Sequence, residues 1–344
     1  MKTKEKVKNE VKNERNSTIE LLRILCMLMI ILHHSYAHSN IKMQLNYTNY
    51  ILFSILSLLG ELTTNIFVII TGYYMVNKKI NTKSILKLIL ETWFYSYTIL
   101  ILYMIFSPNK KKSIILNLCM PITSNLNWFV TSYIILYLGI PFINTLLANL
   151  NKKQFQHLIV YFLIILSILP TIYILKDFSS ALWFVCLYCV GAYINLNKAS
   201  IRQKENYIIL FCSSMALIVI FLLEKHFGIF FIDLGNRLNF FSFLISLSTF
   251  IVFINLKTFQ NVIINNIAKS VLGIYLLHDN IVVRDFIWKK IGIEKMVSNK
   301  TFWLDEFFII LTIFFICLII DKLRKNLLEK PLFILVDRLK RRNK

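Results

Sequence analysis

An arginine and a histidine lie within the first long apolar segment of this 344-residue chain. Arg23 and His34 are eleven residues apart, and eleven helical steps of about 100° end about 20° past three full turns. The two side chains therefore share one helix face and lie about 16 Å apart along the axis. Because an ionisable residue inside a membrane span is costly and by default marks a functional site, we predict that both contact one ligand. Its anionic end would meet Arg23, and its reactive end would reach His34.

The other histidines of this segment are less well placed. His33 points about 80° away from the line of Arg23, whereas His38 returns to that line one turn after His34, near the end of the helix. His34 is therefore the predicted catalytic histidine. The alternative is purely structural: Arg23 extends to the headgroups and pairs with Glu20, while His34 forms a hydrogen bond to a neighbouring helix.

Two further groups of polar residues could serve the same chemistry. Tyr275 and His278 are i,i+3 neighbours followed by Asp279, a pattern that predicts either a hydrogen-bonded acid/base site or a packed histidine. Lys83 and Lys87 share a helix face at i,i+4 and would meet phosphates that arrive from the cytoplasm. The alternative for both lysines is the ordinary excess of positive charge on the inner side of a membrane.

The composition requires elements that position these residues inside a membrane. Hydrophobic residues make up 57% of the chain and the mean hydropathy is +0.62, against about 45–50% apolar residues in a soluble domain. The fold class is therefore all-α, a polytopic membrane helix bundle of about ten transmembrane helices with no soluble domain. Glu91, deep in the third span, is expected to pair with an arginine or lysine. The predicted spans are 18–38, 50–76, 84–106, 127–148, 156–175, 179–195, 206–224, 238–255, 265–282 and 303–321.

The charge distribution predicts the topology. With a cytoplasmic N-terminus, the inner segments hold 24 basic residues and the outer segments 12, which places both termini in the cytoplasm of a cell-membrane protein. We therefore attribute the net charge of +21 to anionic lipids as partners rather than to nucleic acid. The predicted domains are a basic tail (1–17), the membrane domain (18–321) and a basic interfacial helix (322–344). The six scattered cysteines predict no disulfide and no metal site.

Four motifs follow one another along the chain, and together they resemble the acyltransferase 3 family of membrane acyltransferases. The resemblance covers nearly the whole chain and implies an integral membrane enzyme, usually of ten helices. Such an enzyme transfers an acyl group, commonly acetyl from acetyl-CoA, to a sugar hydroxyl. The motifs are the Arg-x10-His of Arg23 and His34, the segment Asn65 to Tyr73, Asn127-Trp-Phe-Val with Tyr133, Tyr137, Pro141, Phe142 and Asn144, and Gly273-Ile-Tyr-Leu-Leu-His278.

The resemblance also implies roles for individual residues. It makes Arg23 a donor contact and His34 either the general base for the acceptor hydroxyl or a transient acyl carrier. His278 is expected to be a third catalytic residue, and Lys83 and Lys87 to help bind acetyl-CoA. The family often has Arg-x-x-Arg after the second span, where this chain has only lysines at a wider spacing. The expected acceptor is a cell-envelope or exported glycan or a lipid-linked sugar, and no metal is expected.

Two other classes of protein remain alternatives at this point. Intramembrane His, Arg and Glu also mark the pathways of multi-pass transporters and export proteins. Transporters commonly have repeated halves with matching broken helices, and the sequence contains no such repeat. A non-catalytic assembly or lipid-binding subunit is the third class, and it should tolerate His34→Ala.

Overall fold

The computed structural model describes residues 15–39, 41, 44–172, 178–197, 203–228, 232, 234–290, 297, 300–329 and 331. Within these ranges all regular secondary structure is helical, which confirms the predicted all-α bundle. In chain order the helices are α1 (Ser17–His38), α2 (Tyr47–Met75), α3 (Thr82–Phe106), α4 (Lys112–Cys119), α5 (Trp128–Ala148), α6 (Lys152–Thr171), α7 (Ser180–Asn197), α8 (Gln203–Phe227), α9 (Phe240–Asn255), α10 (Val262–Ala268), α11 (Val271–His278), α12 (Ile281–Lys290) and α13 (Phe302–Arg324).

Eight of these helices are long and apolar enough to cross a membrane, and two shorter apolar stretches occupy the remaining predicted spans. Large apolar side chains are exposed on the outward face of α8. Ile208, Phe211 and Val219 are each half exposed or more. Apolar exposure of this kind is costly in water and is satisfied by lipid tails. The chain is thus an integral membrane protein. The predicted tail (1–17) and interfacial helix (322–344) lie largely outside the described residues.

Asparagine side chains define where many of the helices begin. The side chain of Asn16 accepts a hydrogen bond from the backbone N–H of Thr18 at 3.0 Å. Such a cap satisfies one of the four N–H groups that the first turn of a helix leaves without a partner. The same arrangement starts α2, α3, α6, α9 and α10, where the capping residues are Asn46, Asn81, Asn151, Asn239 and Asn261.

The predicted span 265–282 is not one helix. It is divided into α10 and α11 at Lys269 and Ser270, and it ends before α12 begins at Ile281. The break is stabilised by a tertiary contact, because the Lys325 ammonium donates a hydrogen bond to the Lys269 carbonyl at 2.6 Å. At the far end, the side chain of Asn280 accepts from the Val282 N–H at 3.2 Å and starts α12. Carbonyl and amide groups freed by each break therefore find partners inside the bundle.

Helix α2 is the centre of the bundle and packs against α1, α7 and α9. Its contact with α7 depends on two glycines, one on each helix, that lie against the backbone of the opposite helix. A Cβ atom on Gly72 would overlap the backbone of Tyr188, and a Cβ on Gly191 would overlap the carbonyl of Ile69. Small residues of this kind let membrane helices approach closely and gain van der Waals contact.

Gly191→Ala is therefore expected to destabilise the protein. The added methyl must separate α2 from α7, and overpacking of this kind costs about 1–3 kcal/mol. The matched control is Gly139→Ala on α5, because a Cβ there meets only Ile143 Cδ1 at an ordinary 3.6 Å. The midpoint of thermal unfolding of the purified protein in detergent should fall for Gly191→Ala and not for Gly139→Ala. Equal midpoints would show that the close approach does not matter.

A buried cluster of charges joins α3 to the end of α13. Arg324 Nη2 donates to Glu91 Oε1 at 2.9 Å and to Asp321 Oδ1 at 3.0 Å, and the Tyr95 hydroxyl donates to the same Asp321 oxygen at 2.7 Å. Lys325 adds a second cation, 2.6 Å from Asp321 Oδ2. The predicted pairing of Glu91 with a basic residue is confirmed, and the partner comes from the last helix. The cluster holds α13 at one end of the cavity described next.

Candidate active site

A cavity of about 790 Å³ runs along α1 inside the bundle. Arg15 and Arg23 line it near the start of this helix, and His34 and His38 line it near the end. At 1.5 Å per residue, the path from Arg23 to His38 is about 22 Å. The cavity is therefore long enough to place the two ends of an extended ligand in different chemical surroundings. The rest of its wall comes mainly from α2, α3, α5, the helices from α10 to α12 and the segment Lys325–Glu329 that follows α13.

The structure brings His34 and His278 together, 244 residues apart in sequence. His34 Nδ1 lies 3.0 Å from His278 Nε2, and His278 Nδ1 lies 2.7 Å from the Ile274 carbonyl. A carbonyl oxygen only accepts, so His278 carries its proton on Nδ1, and in the neutral ring Nε2 is an acceptor. His34 must then donate through Nδ1–H. The second nitrogen of His34, Nε2, is left with a lone pair that can take a proton or attack a carbonyl carbon.

Asp279 lies beside this pair at the end of the cavity. Its Oδ1 atom is 3.6 Å from His34 Nδ1, 3.8 Å from His38 Nε2 and 3.6 Å from Arg284 Nη1. The carboxylate favours a proton on His34 Nδ1, the same tautomer that His278 requires. Asp279 Oδ1 is buried, and no hydrogen bond reaches it among the described residues. The sequence pointed to Asp279 as a neighbour of His278, but it did not single out Arg284.

His33 also reaches the cavity, but on another face of α1. Its Nδ1 is 3.0 Å from the Ser57 hydroxyl, and its Nε2 is 3.2 Å from Glu61 Oε2. Glu61 in turn pairs with Arg237 at 3.6 Å, and the Arg237 guanidinium lies 3.8 Å above the Trp128 ring. Because successive residues of a helix are rotated by about 100°, His33 and His34 have different partners. Nothing in the sequence indicated that Glu61 pairs with Arg237.

Positive charge collects at the opposite end of the cavity, around the start of α1. Arg23 lines the wall there, with Nη1 3.7 Å from Glu20 Oε2, as the structural alternative for this arginine anticipated. Lys87 also lines the wall and contacts Glu329 at 2.5 Å. Lys83 is exposed and is not among the described residues that line the cavity. Three further cations at this end, which the sequence did not single out, are Arg15, Lys269 and Lys325.

Membrane-length helices around a cavity that His34 lines define the class, an integral membrane protein with a partly polar cavity inside the bundle. A family model described as an acyltransferase domain, that of acyltransferase 3, matches residues 16–322, nearly the whole chain. The chain therefore belongs to the acyltransferase 3 family, and it is a membrane acyltransferase. Comparison with curated proteins and with solved structures gives no match.

Proposed function

We propose that this membrane acyltransferase moves an acetyl group from acetyl-CoA to a hydroxyl of a cell-envelope or exported glycan, or of its lipid-linked sugar. The observation that carries the proposal is the contact of His34 with His278, because it leaves Nε2 of His34 with a lone pair inside a cavity. His34 would act as the general base, His278 would hold its tautomer, and Arg23 would contact the donor.

The proposed reaction begins with the acceptor hydroxyl bound beside His34. Nε2 takes the hydroxyl proton while the oxygen attacks the thioester carbonyl carbon. The carbon–sulfur bond then breaks, and the coenzyme A thiolate takes the proton back from the imidazolium ring. In a second course the same lone pair attacks the thioester first, the carbon–sulfur bond breaks, and the coenzyme A thiolate leaves with the acetyl group held on Nε2. The acceptor hydroxyl then attacks this acetyl group, Nε2 leaves, and the hydroxyl proton passes to the thiolate. Only the second course places labelled acetyl on the protein, and because acetyl-imidazole hydrolyses quickly in acid, the label is sought after rapid denaturation near neutral pH.

The charges at the two ends of the cavity support a donor of this shape. Coenzyme A carries its phosphates at one end and its thioester at the end of a long, thin arm. Arg15, Arg23 and Lys87 line the wall where the phosphates would lie, and arginine is suited to bidentate phosphate contact. The thioester would reach toward His34, about 16 Å further along α1. Lys83 lies outside this wall, so its proposed part is limited to the approach of the donor.

The acceptor would pack against the aromatic part of the wall. Trp128, Phe129 and Tyr133 line the cavity, and aromatic surfaces with a few polar groups are typical of small-molecule sites. The basic end of the cavity would face the cytoplasm, in agreement with termini on that side of the cell membrane. Anionic lipids would surround the basic segments on the same side.

The experiment that tests the function uses membranes that contain the protein. They are incubated with acetyl-CoA labelled in the acetyl group, and the label is followed into glycan and lipid-linked sugar. Membranes from the same host without the protein are the control. Label that depends on the protein and is released as acetate by mild base, which cleaves an ester, supports the proposal. Label that enters no acceptor, or that enters equally without the protein, would refute it.

Arg23→Gln is expected to raise the KM for acetyl-CoA about 10–100-fold while kcat changes little. The loss of a hydrogen bond to a charged group costs about 1.5–3 kcal/mol, and each 1.4 kcal/mol is a factor of ten. Initial rates over a range of acetyl-CoA concentrations give both constants. Lys153→Gln, at an exposed position on α6, is the matched control for the loss of one positive charge. An unchanged KM for Arg23→Gln would exclude a donor contact.

A further inference from the structure

Three potential metal ligands meet at the end of the cavity that is far from the basic wall. His34 and His38 come from successive turns of α1, and Asp279 follows the last residue of α11. One ligand atom from each residue lies within 4.8 Å of the other two. This cluster could not be predicted from the sequence, because the two histidines and the carboxylate are about 240 residues apart.

The spacing of these atoms is close to that of a tetrahedral zinc site. Zinc bonds of about 2.0–2.2 Å to nitrogen and oxygen place neighbouring ligand atoms about 3.4 Å apart. The separations from Asp279 Oδ1 are 3.6 Å to His34 Nδ1 and 3.8 Å to His38 Nε2. Movements of a few tenths of an ångström would bring Asp279 Oδ1 to this distance from both nitrogens, which lie within 4.8 Å of each other. The fourth position would open into the cavity, where a water molecule can occupy it.

Asp279 supplies a second and independent observation. Its Oδ1 is buried and receives no hydrogen bond from the described residues, although buried oxygen atoms are costly to leave in that state. Arg284 lies near the same atom, with Nη1 3.6 Å away, beyond hydrogen-bond distance. A divalent cation between the carboxylate and the two imidazoles would satisfy this oxygen. Two nitrogens and one carboxylate oxygen are a donor set that zinc accepts.

We propose that this cluster, His34, His38 and Asp279, binds Zn²⁺ and that the bound ion switches off acyl transfer. The second half rests on the proposed function. A metal ion on His34 Nδ1 needs the lone pair of that nitrogen, so the ring proton moves to Nε2 and the ring stays neutral. Nε2 then has no lone pair for the acceptor proton or for the thioester. His34 must also release its hydrogen bond to His278.

Arg284 sets how tightly the ion is held. Its positive charge competes with the metal for Asp279, and at the distance of an ion pair this repulsion is large in a cavity with little water. Arg284→Gln is therefore expected to tighten zinc binding. A loss of affinity in this variant would contradict the placement of the ion beside Asp279.

Zinc binding is measured first, on the purified full-length protein in detergent, by competition with a chromophoric zinc chelator. Wild type is expected to bind one equivalent in a site that His38→Gln weakens at least tenfold. His226→Gln is the matched control, because His226 is an exposed histidine on α8, and it should bind as wild type does. Equal zinc affinity of wild type and His38→Gln would overturn the site.

Acetyl transfer is measured second, with and without Zn²⁺ at the concentration that fills the site. Zinc should inhibit wild type and His226→Gln, and inhibition of His38→Gln should need at least tenfold more zinc. If zinc binds through His38 but transfer continues at the wild-type rate, the inhibitory half is wrong. If no variant transfers acetyl under any condition, the proposed function fails, and the binding measurements alone decide the metal site.

Discussion

Replacement of His34 by alanine is expected to lower the rate of acetyl transfer by about 10²–10⁴-fold, the usual contribution of a positioned general base. The variant loses the only lone pair that the contact with His278 holds in place, while the cavity gains space. Initial rates with labelled acetyl-CoA measure the loss. His157→Ala, at an exposed position on α6, is the control and should keep the wild-type rate.

His278 extends this prediction, because its proposed part is to position His34. His278→Leu removes the acceptor of the His34 Nδ1–H bond and should lower kcat. His278→Gln can still accept through its side-chain oxygen and should recover part of that loss. A merely structural histidine would give equal unfolding midpoints and equal rates in the two variants. Wild-type rates in His34→Ala would refute the mechanism altogether, since both proposed courses use that lone pair.

Replacement of Arg324 by alanine is expected to destabilise the protein by about 3–5 kcal/mol, the largest effect on stability in this set. The substitution leaves Glu91 buried without its cation and Asp321 with Lys325 alone, and an uncompensated buried charge has a cost of that size. Both carboxylates are buried, with 5% and 0% of their side chains exposed, so water cannot take the place of the guanidinium. The midpoint of thermal unfolding in detergent should fall accordingly.

The matched control is an ion pair of the same kind on the surface. Lys289 Nζ lies 3.1 Å from Asp285 Oδ2, and both side chains are at least half exposed. Lys289→Ala should cost less than about 1 kcal/mol, because exposed pairs contribute little. Adding Glu91→Gln to Arg324→Ala should restore part of the stability, since it removes the carboxylate that has lost its cation. Equal effects of Arg324→Ala and Lys289→Ala would contradict the account of the buried cluster.

The sequence predicted the helices well because the bilayer imposes a length on them. The first span was placed at 18–38, and the structure has Ser17–His38. The rotation argument also placed Arg23 and His34 on one cavity wall, because an uninterrupted helix has a fixed angle per residue. Local geometry of this kind depends only on neighbours in the chain. The part played by each residue in catalysis stays a prediction.

Features that depend on distant parts of the chain could not be predicted. The break before α11, at Lys269, is stabilised by Lys325. Neither this break nor the one before α12 interrupts the apolar pattern of the sequence. The pairing of Glu61 with Arg237 and the meeting of His38 with Asp279 likewise join remote helices. Hydropathy and helical periodicity record which faces are apolar, but they do not record which helices become neighbours.

The distance in sequence between His34 and His278 has a consequence for how the protein is made. Their 244-residue separation means that the histidine pair exists only after α11 has left the ribosome and joined the bundle. At a synthesis rate of about 5–20 residues per second, this takes roughly 12–50 s after His34 is made. During that interval the nascent chain already contains the cations of α1 and α3, but His34 lacks its partner His278. A chain whose synthesis stops before α11 would therefore lack both the histidine pair and the part of the cavity wall that α11 and α12 provide.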